Sequence, residues 1–381
     1  MATTTRLEVR NGDPVAAIQG FLKRLLAEGL VGAVLVPRRA GGGEAVMPSL
    51  VADPRELDQA DPLAPAFPLS AATLAARLTH GEPEKMVAAV LRPCEIRAFV
   101  ELVKLNQGSL DGVLLIGVDC LGAYGNKDYR ALAQGRDGPE LTREFLAREA
   151  NGGQPPDGPA LSRACRVCEH PSPEGADLRI ELFGQDVFSA VPVSAVTPRG
   201  EGIVSRMGLP DSGESPGRGE ALAEVVALRT ALRDAMFAQT AEATGSLSKL
   251  AAYLSGCVNC YNCRVACPVC YCRECVFLTD VFDHKPWQYL GWARHGGAIK
   301  MPTDTVFFHL TRLAHMSTAC VGCGQCSNAC PNEVPVMELF RLVASGTQAA
   351  FDYQAGRSAS EAPPLTVFQE KEFAEVTGGA D

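Results

Sequence analysis

Apolar residues recur with helical spacing at Val15, Ile18, Leu22, Leu25 and Leu26, which predicts a helix over Pro14 to Glu28. The pattern then changes to short continuous apolar runs at Gly32 to Val36, Met86 to Leu91 and Gly112 to Val118. Runs of that length fit strands buried on both faces. Between the last two, Glu95 to Leu105 returns to helical period, and strand–helix–strand alternation predicts a parallel α/β sheet. Ala176 to Phe183 and Ile203 are further strand candidates. Pro, Gly and Ser dominate Gly208 to Gly219, a linker by composition, and Glu220 to Thr240 reads as a helix bridging two halves.

Composition narrows the function classes. A chain of 381 residues, 46% hydrophobic, is long enough for two or three domains. No apolar run approaches the ~18 residues a membrane span needs. The net charge of −9, with no lysine–arginine tract, argues against nucleic-acid binding. The fifteen cysteines are sparser than in a disulfide scaffold and cluster at metal-ligand spacings. Together with a first stretch, Met1 to Arg6, that has no apolar signal core and no twin arginine, they favour a reducing cytoplasm.

Eight of those cysteines form two runs of C-x2-C-x2-C-x3-C-P: Cys257, Cys260, Cys263, Cys267 before Pro268, and Cys320, Cys323, Cys326, Cys330 before Pro331. This is the bacterial spacing for [4Fe–4S] clusters, in which the fourth cysteine of each run ligates the other cluster. The expected sets are therefore Cys257, Cys260, Cys263 with Cys330, and Cys320, Cys323, Cys326 with Cys267. A loop wrapping one corner of a cube presents a thiolate at every third residue, and the proline then stops the backbone from continuing as helix. Zinc is the alternative for a single run, but zinc knuckles do not need a third evenly spaced cysteine.

The predicted organisation is an α/β unit over 1–207, a linker and bridging helix over 208–245, and a C-terminal α+β two-cluster ferredoxin-like unit over 246–345. The last carries an insertion at 268–319, in which Thr303 or Asp304 caps a helix bearing Val306, Leu310 and Leu313. Trp287, Tyr289 and Trp292 read as a packing cluster there. Residues 346–381 are polar, with Pro363-Pro364, and read as an arm that docks on a neighbour or stays disordered.

A third group belongs to the α/β unit. Cys94 and Cys120 each follow a predicted strand, so both fall at the carboxyl edge of a parallel sheet, where such folds place ligands. With the pair Cys165 and Cys168 they make four potential ligands for a third cluster. The alternatives are buried unligated thiols at Cys94 and Cys120, and zinc at Cys165 and Cys168.

These residues also carry a resemblance. Arg92-Pro93-Cys94-Glu95-Ile96-Arg97, Gly117-Val118-Asp119-Cys120, and Cys165-Arg166-Val167-Cys168 followed by Ala176-Asp177 resemble the β-subunit family of coenzyme F420-reducing hydrogenases and formate dehydrogenases over roughly residues 10–205. The stretch Tyr261 to Cys272 further resembles formate dehydrogenase β-subunits associated with heterodisulfide-reductase-type complexes. The resemblance implies a [4Fe–4S] cluster on Cys94, Cys120, Cys165 and Cys168 beside FAD, and partners that are redox subunits of one complex. The family's paired glycines near its first helix correspond here to Gly12 and Asp13, and no G-x-G-x-x-G or Walker A loop is present. The function so implied is electron transfer within a multi-subunit anaerobic oxidoreductase. A flavin-free wire and a zinc-bearing scaffold are the alternatives. Cys270, Cys272 and Cys275 are left over, as further ligands, substitutes or packed thiols. His309 and His315 are read as ordinary helix residues, and Arg97 and Arg166 as possible offsets to cluster charge or as surface ion pairs.

Overall fold

The computed structural model describes residues 3–40, 45–81, 84–150 and 159–367. Seven strands form one sheet: β1 (Thr3–Glu8), β2 (Ala33–Ala40), β3 (Ala45–Val51), β4 (Val87–Leu91), β5 (Val113–Val118), β6 (Leu178–Ile180) and β7 (Ala190–Ala195). Their spatial order is β1-β7-β6-β5-β4-β2-β3. Only the central run β2-β4-β5-β6 is parallel; β1 and β3 pair antiparallel at the two edges, and β7 is antiparallel to β6. The sheet is thus mixed rather than purely parallel. β3 escaped the apolar pattern because Pro48 interrupts it, and an edge strand accommodates a residue with no N–H to donate.

The helices of the first half are α1 (Pro14–Ala27), α2 (Ala72–Leu78), α3 (Pro93–Lys104), α4 (Asn126–Ala133), α5 (Gly138–Ala150), α6 (Arg163–Arg166) and α7 (Pro198–Arg206). α1 starts where Asp13 accepts the Ala16 N–H and Pro14 presets the first turn, and it buries Val15, Ile18, Phe21, Leu22 and Leu25. Ile203 is not in a strand. It lies on α7, which Thr197 caps by accepting the Gly200 N–H, and its side chain is buried as the helix packs on the sheet. The strand expected over Ala176 to Phe183 shortens to β6. Asp177 instead turns its carboxylate back onto the Leu115 N–H at 2.9 Å and the Thr197 hydroxyl at 2.6 Å.

α8 (Arg218–Thr244) and α9 (Leu247–Tyr253) lead into α10 (Asn262–Val265), α11 (Pro286–Gly296), α12 (Thr305–Met316), α13 (Gln325–Asn328) and α14 (Val336–Ala350). Asp304 takes the cap position of α12, through its backbone carbonyl rather than its side chain. Tyr289 and Trp292 pack edge to face, with His284 as the third ring, whereas Trp287 stands 70% exposed. One apolar core continues from the sheet into the cysteine-rich half: Leu91, Ile96 and Phe99 share it with Leu313, Phe340 and Ala355. Among the described residues no helix is long and apolar enough to cross a membrane.

The segment after α14 does not behave as a free arm. Tyr353 and Ala355 are buried against α3 of the same chain. The Tyr353 hydroxyl and the Gly356 N–H both bond the Glu101 carboxylate, at 2.7 and 2.6 Å. Polar composition concealed this because the docking uses backbone groups and one hydroxyl. Residues 368–381 lie outside the described residues.

Candidate functional site

The two cysteine runs fold into the same loop from different residues. In the first, Asn259 and Tyr261 hold φ of 51° and 60°; at the matching positions of the second, Gly322 and Gly324 hold 70° and 77°. Left-handed residues at these two places curl the backbone so that its amides face inward, an arrangement suited to an anionic cluster. Each loop then enters a one-turn helix, α10 or α13, before its fourth cysteine. Cys263 lies within electrostatic reach of Cys257, Cys260 and Cys330, and Cys257 of Cys260 and Cys330. Cys320, Cys323, Cys326 and Cys267 lie within electrostatic reach of one another. Each fourth cysteine is therefore beside the other run.

The third group gathers at the sheet edge. Cys94 opens α3 directly after β4, with the helix N-terminus behind it, and Cys120 follows β5 by two residues. The Cys120 N–H is fixed by the Pro171 carbonyl at 2.8 Å, and Ser162 caps the short helix that carries Cys165. Cys94 is in electrostatic reach of Cys120 and Cys168, and Cys165 of Cys120 and Cys168. Cys94 also reaches Cys323, so this group adjoins the second of the two loop sites. Burial raises the thiol pKa of Cys94, Cys165, Cys257, Cys267, Cys320, Cys323 and Cys326, and lifts that of Cys263 to about 11. Metal-free thiols there would keep their protons, and iron would have to displace them.

Cations line the row. The Arg92 guanidinium lies 3.7 Å from Cys120 Sγ, anchored on the Ala64 and Ala66 carbonyls at 2.7 and 2.9 Å. Arg97 is buried, donates to the Ala355 and Val321 carbonyls, and acts on Cys94, Cys168 and Cys320. Arg312 donates to Cys263 Sγ at 3.1 Å. Arg341, on α14, pairs with Glu169 and donates to the Val167 carbonyl at 2.6 Å. α8 contributes Arg229, whose guanidinium bonds the Leu121 carbonyl at 2.8 Å. Of the two arginines singled out from sequence, Arg97 faces the thiols and Arg166 is exposed.

His309, set aside as an ordinary helix residue, places Nε2 3.4 Å from Cys257 Sγ. Burial and the neighbouring Arg312 and Lys300 lower its pKa to about 4, so it is neutral at pH 7. The only sequence signal for it was its place on the helix leading to Cys320. Cys270 lies beside Cys267, Cys272 is exposed, and Cys275 packs near Phe277 and Phe308. Among the described residues no group of three or more Cys, His, Asp or Glu side chains converges closely enough for a single metal ion. A tetrahedral zinc site needs sulfurs ~2.3 Å from one centre, whereas a multi-iron cube holds its thiolates further apart. The two cysteine runs, curled inward and lined by cations, fit [4Fe–4S] groups, and the chemistry of the four sheet-edge thiols beside Arg92 and Arg97 is compatible with a further one.

Comparison with known proteins agrees with the resemblance read from sequence. A family model described as a 4Fe-4S binding domain matches residues 315–336, the span of the second cysteine run. The chain is 25% identical over 385 residues to a Methanocaldococcus jannaschii protein named F420-dependent formate dehydrogenase subunit beta, covering 94% of this chain and 95% of that one. It is also 25% identical over 389 residues to F420-dependent formate dehydrogenase 1 subunit beta of Methanococcus maripaludis, covering 93% and 94%. Among solved structures, a chain of the F420-reducing [NiFe] hydrogenase complex from Methanosarcina barkeri aligns with a TM-score of 0.44 and 14% identity, over 65% of this chain and 94% of that chain.

Proposed function

We propose that the chain is an iron–sulfur electron-transfer subunit of a multi-subunit oxidoreductase. It would relay electrons between a formate dehydrogenase-, hydrogenase- or heterodisulfide-reductase-type partner and a flavin or other redox centre near Cys94. One observation carries this reading: twelve cysteines sort into three groups of four that adjoin in series. Cys94 of the sheet-edge group neighbours Cys323 of the middle group, and Arg312 lies between the middle and last groups. Similarity to formate dehydrogenase β-subunits over nearly the whole chain supports it.

A [4Fe–4S] group, when bound, supplies reversible one-electron chemistry. The chain's own residues do the rest. Twelve thiolates hold the three groups. The shared apolar core of Leu313, Phe340 and Val321 keeps water from the middle site, and Arg92, Arg97, Arg312 and His309 direct positive or donor groups at sulfur. Cys260 is the exposed cysteine of the last group, which supports electron exchange with a partner at that end. No acid–base pair or nucleophile is called for, and the metal that acts on substrate would sit in another subunit.

A flavin-free wire is favoured by one feature. At the position corresponding to the family's paired glycines, the Asp13 carboxylate occupies the N-terminus of α1 by accepting the Ala16 N–H at 3.1 Å. A flavin phosphate does not fit beside that carboxylate. Flavin fluorescence in an acid extract of anaerobically purified protein separates the two forms. Cys94→Ala should remove about four irons per chain while leaving the other two clusters' spectra intact. Unchanged iron would eliminate the sheet-edge site.

A further inference from the structure

Arg312 is a buried cation without an anionic protein partner. Its residue exposure is 3%, and among the described residues no carboxylate forms an ion pair with it. Its Nε has no hydrogen-bond partner. The remaining guanidinium nitrogens donate to Cys263 Sγ at 3.1 Å and to the Cys263 carbonyl at 3.2 Å. Phe340 and Phe308 lie against it, 4.5 and 5.5 Å from ring centre to guanidinium carbon. Ring faces contribute little to neutralising a full charge in a dry interior, and arginine does not shed its proton. Among the groups that face it are thiols from both loop sites, Cys263 of one and Cys267, Cys320 and Cys326 of the other, together with the unassigned Cys270 and the neutral imidazole of His309.

We infer that Arg312 is the shared counter-ion of the two ferredoxin-like sites and holds their reduction potentials up together. The inference rests on the proposed relay and adds a positioning residue to it. A cluster with four thiolates gains a negative charge when it is reduced. A cation between two such sites therefore favours the reduced form of each, most strongly at the site whose sulfur it touches. One electron gained by either site is one electron lost by its neighbour or partner, and Arg312 exchanges nothing itself.

The test is an anaerobic redox titration of the full chain, followed by electron paramagnetic resonance, for the wild type, Arg312→Met, Arg312→Lys and the exposed control Arg294→Gln. In Arg312→Met both couples of the loop sites should fall. At the wild-type midpoint, the reduced-to-oxidised ratio should drop about tenfold for the Cys257 site, equivalent to about 59 mV for one electron. The drop should be smaller for its neighbour, and the sheet-edge couple should stay in place. Arg312→Lys, which keeps charge but loses the planar fork, should fall less. Shifts no larger than those of Arg294→Gln would overturn the inference, and a shift at one loop site alone would overturn the sharing. If Arg312→Met does not retain iron, Arg312→Gln, which is likewise uncharged but keeps a polar donor, decides by the same criteria. A wild-type protein without iron and sulfide would instead refute the relay itself.

Discussion

At Gly324 the backbone holds φ of 77°, and a Cβ there would come within 2.2 Å of Ala164 Cβ, next to Cys165. The middle cysteine loop and the helix carrying the sheet-edge pair thus meet where only glycine fits. Gly324→Ala should destabilise the protein by about 1–3 kcal/mol, measured by denaturant titration, and speed iron loss from these two sites before the Cys257 site. His170 is a different residue-level constraint. Burial, with Arg97 and Arg233 nearby, lowers its pKa to about 3. A histidine kept neutral in the fold contributes stability above its unfolded pKa of about 6.5. That contribution is lost as pH falls through the window toward about 3, because only the unfolded chain takes up the proton. His170→Gln should flatten the acid limb of stability against pH by up to about 1.4 kcal/mol per pH unit between about pH 6 and pH 4. An unchanged limb would show that the imidazole is not held neutral. The two cysteine runs were legible at this scale because their spacing is local in sequence, whereas Cys94, Cys120, Cys165 and Cys168 came together only through predicted strand ends and a resemblance. Arg312 and His309 were not legible, since their sulfur partners lie 49 and 52 positions away.

Among elements, α3 joins the sheet to the cysteine groups. It carries Cys94 at its start, Arg97 one turn on, and Glu101 with Lys104 near its end, both side chains 1% exposed and 2.7 Å apart. Tyr353 and Gly356, from the segment after α14, complete that buried pair. Glu101→Ala would strand the Lys104 ammonium in the core. We expect a loss of about 3–5 kcal/mol, with Glu101→Gln losing less because it still accepts from Gly356. Equal stability of Glu101→Ala and wild type in urea would show that the C-terminal segment is not docked in solution. The buried strands β4 and β5 and the amphipathic α1 and α3 were legible because apolar period and length determine them. The edge strands were not: β1 is rich in threonine, β3 contains Pro48, and their partners are chosen by topology. Ile203 shows the same limit, since one buried residue fits a strand or a helix until Thr197 and Pro198 are recognised as a start signal.

At the scale of the whole molecule, one core ties the sheet, the cysteine loops and the C-terminal segment together. The relative placement of the cysteine groups is thereby set by packing. α8 reinforces this by bonding Asp119 through Arg218, Leu121 through Arg229 and Glu169 through Arg233, while Met236 packs with Met337 of α14. Composition had indicated a linker here and a bridging helix after it, and the helix begins at Arg218, inside the expected linker. Its bonds to the sheet-edge loops come from arginines on a half-exposed surface and carry no motif. The measurement that reaches the central claim most directly is the iron and acid-labile sulfide content of the anaerobically purified full chain, with zinc assayed in parallel. Three four-cysteine sites predict about twelve irons and twelve sulfides per chain. A colourless protein that carries zinc, or that takes up no sulfide on reconstitution, would contradict the account.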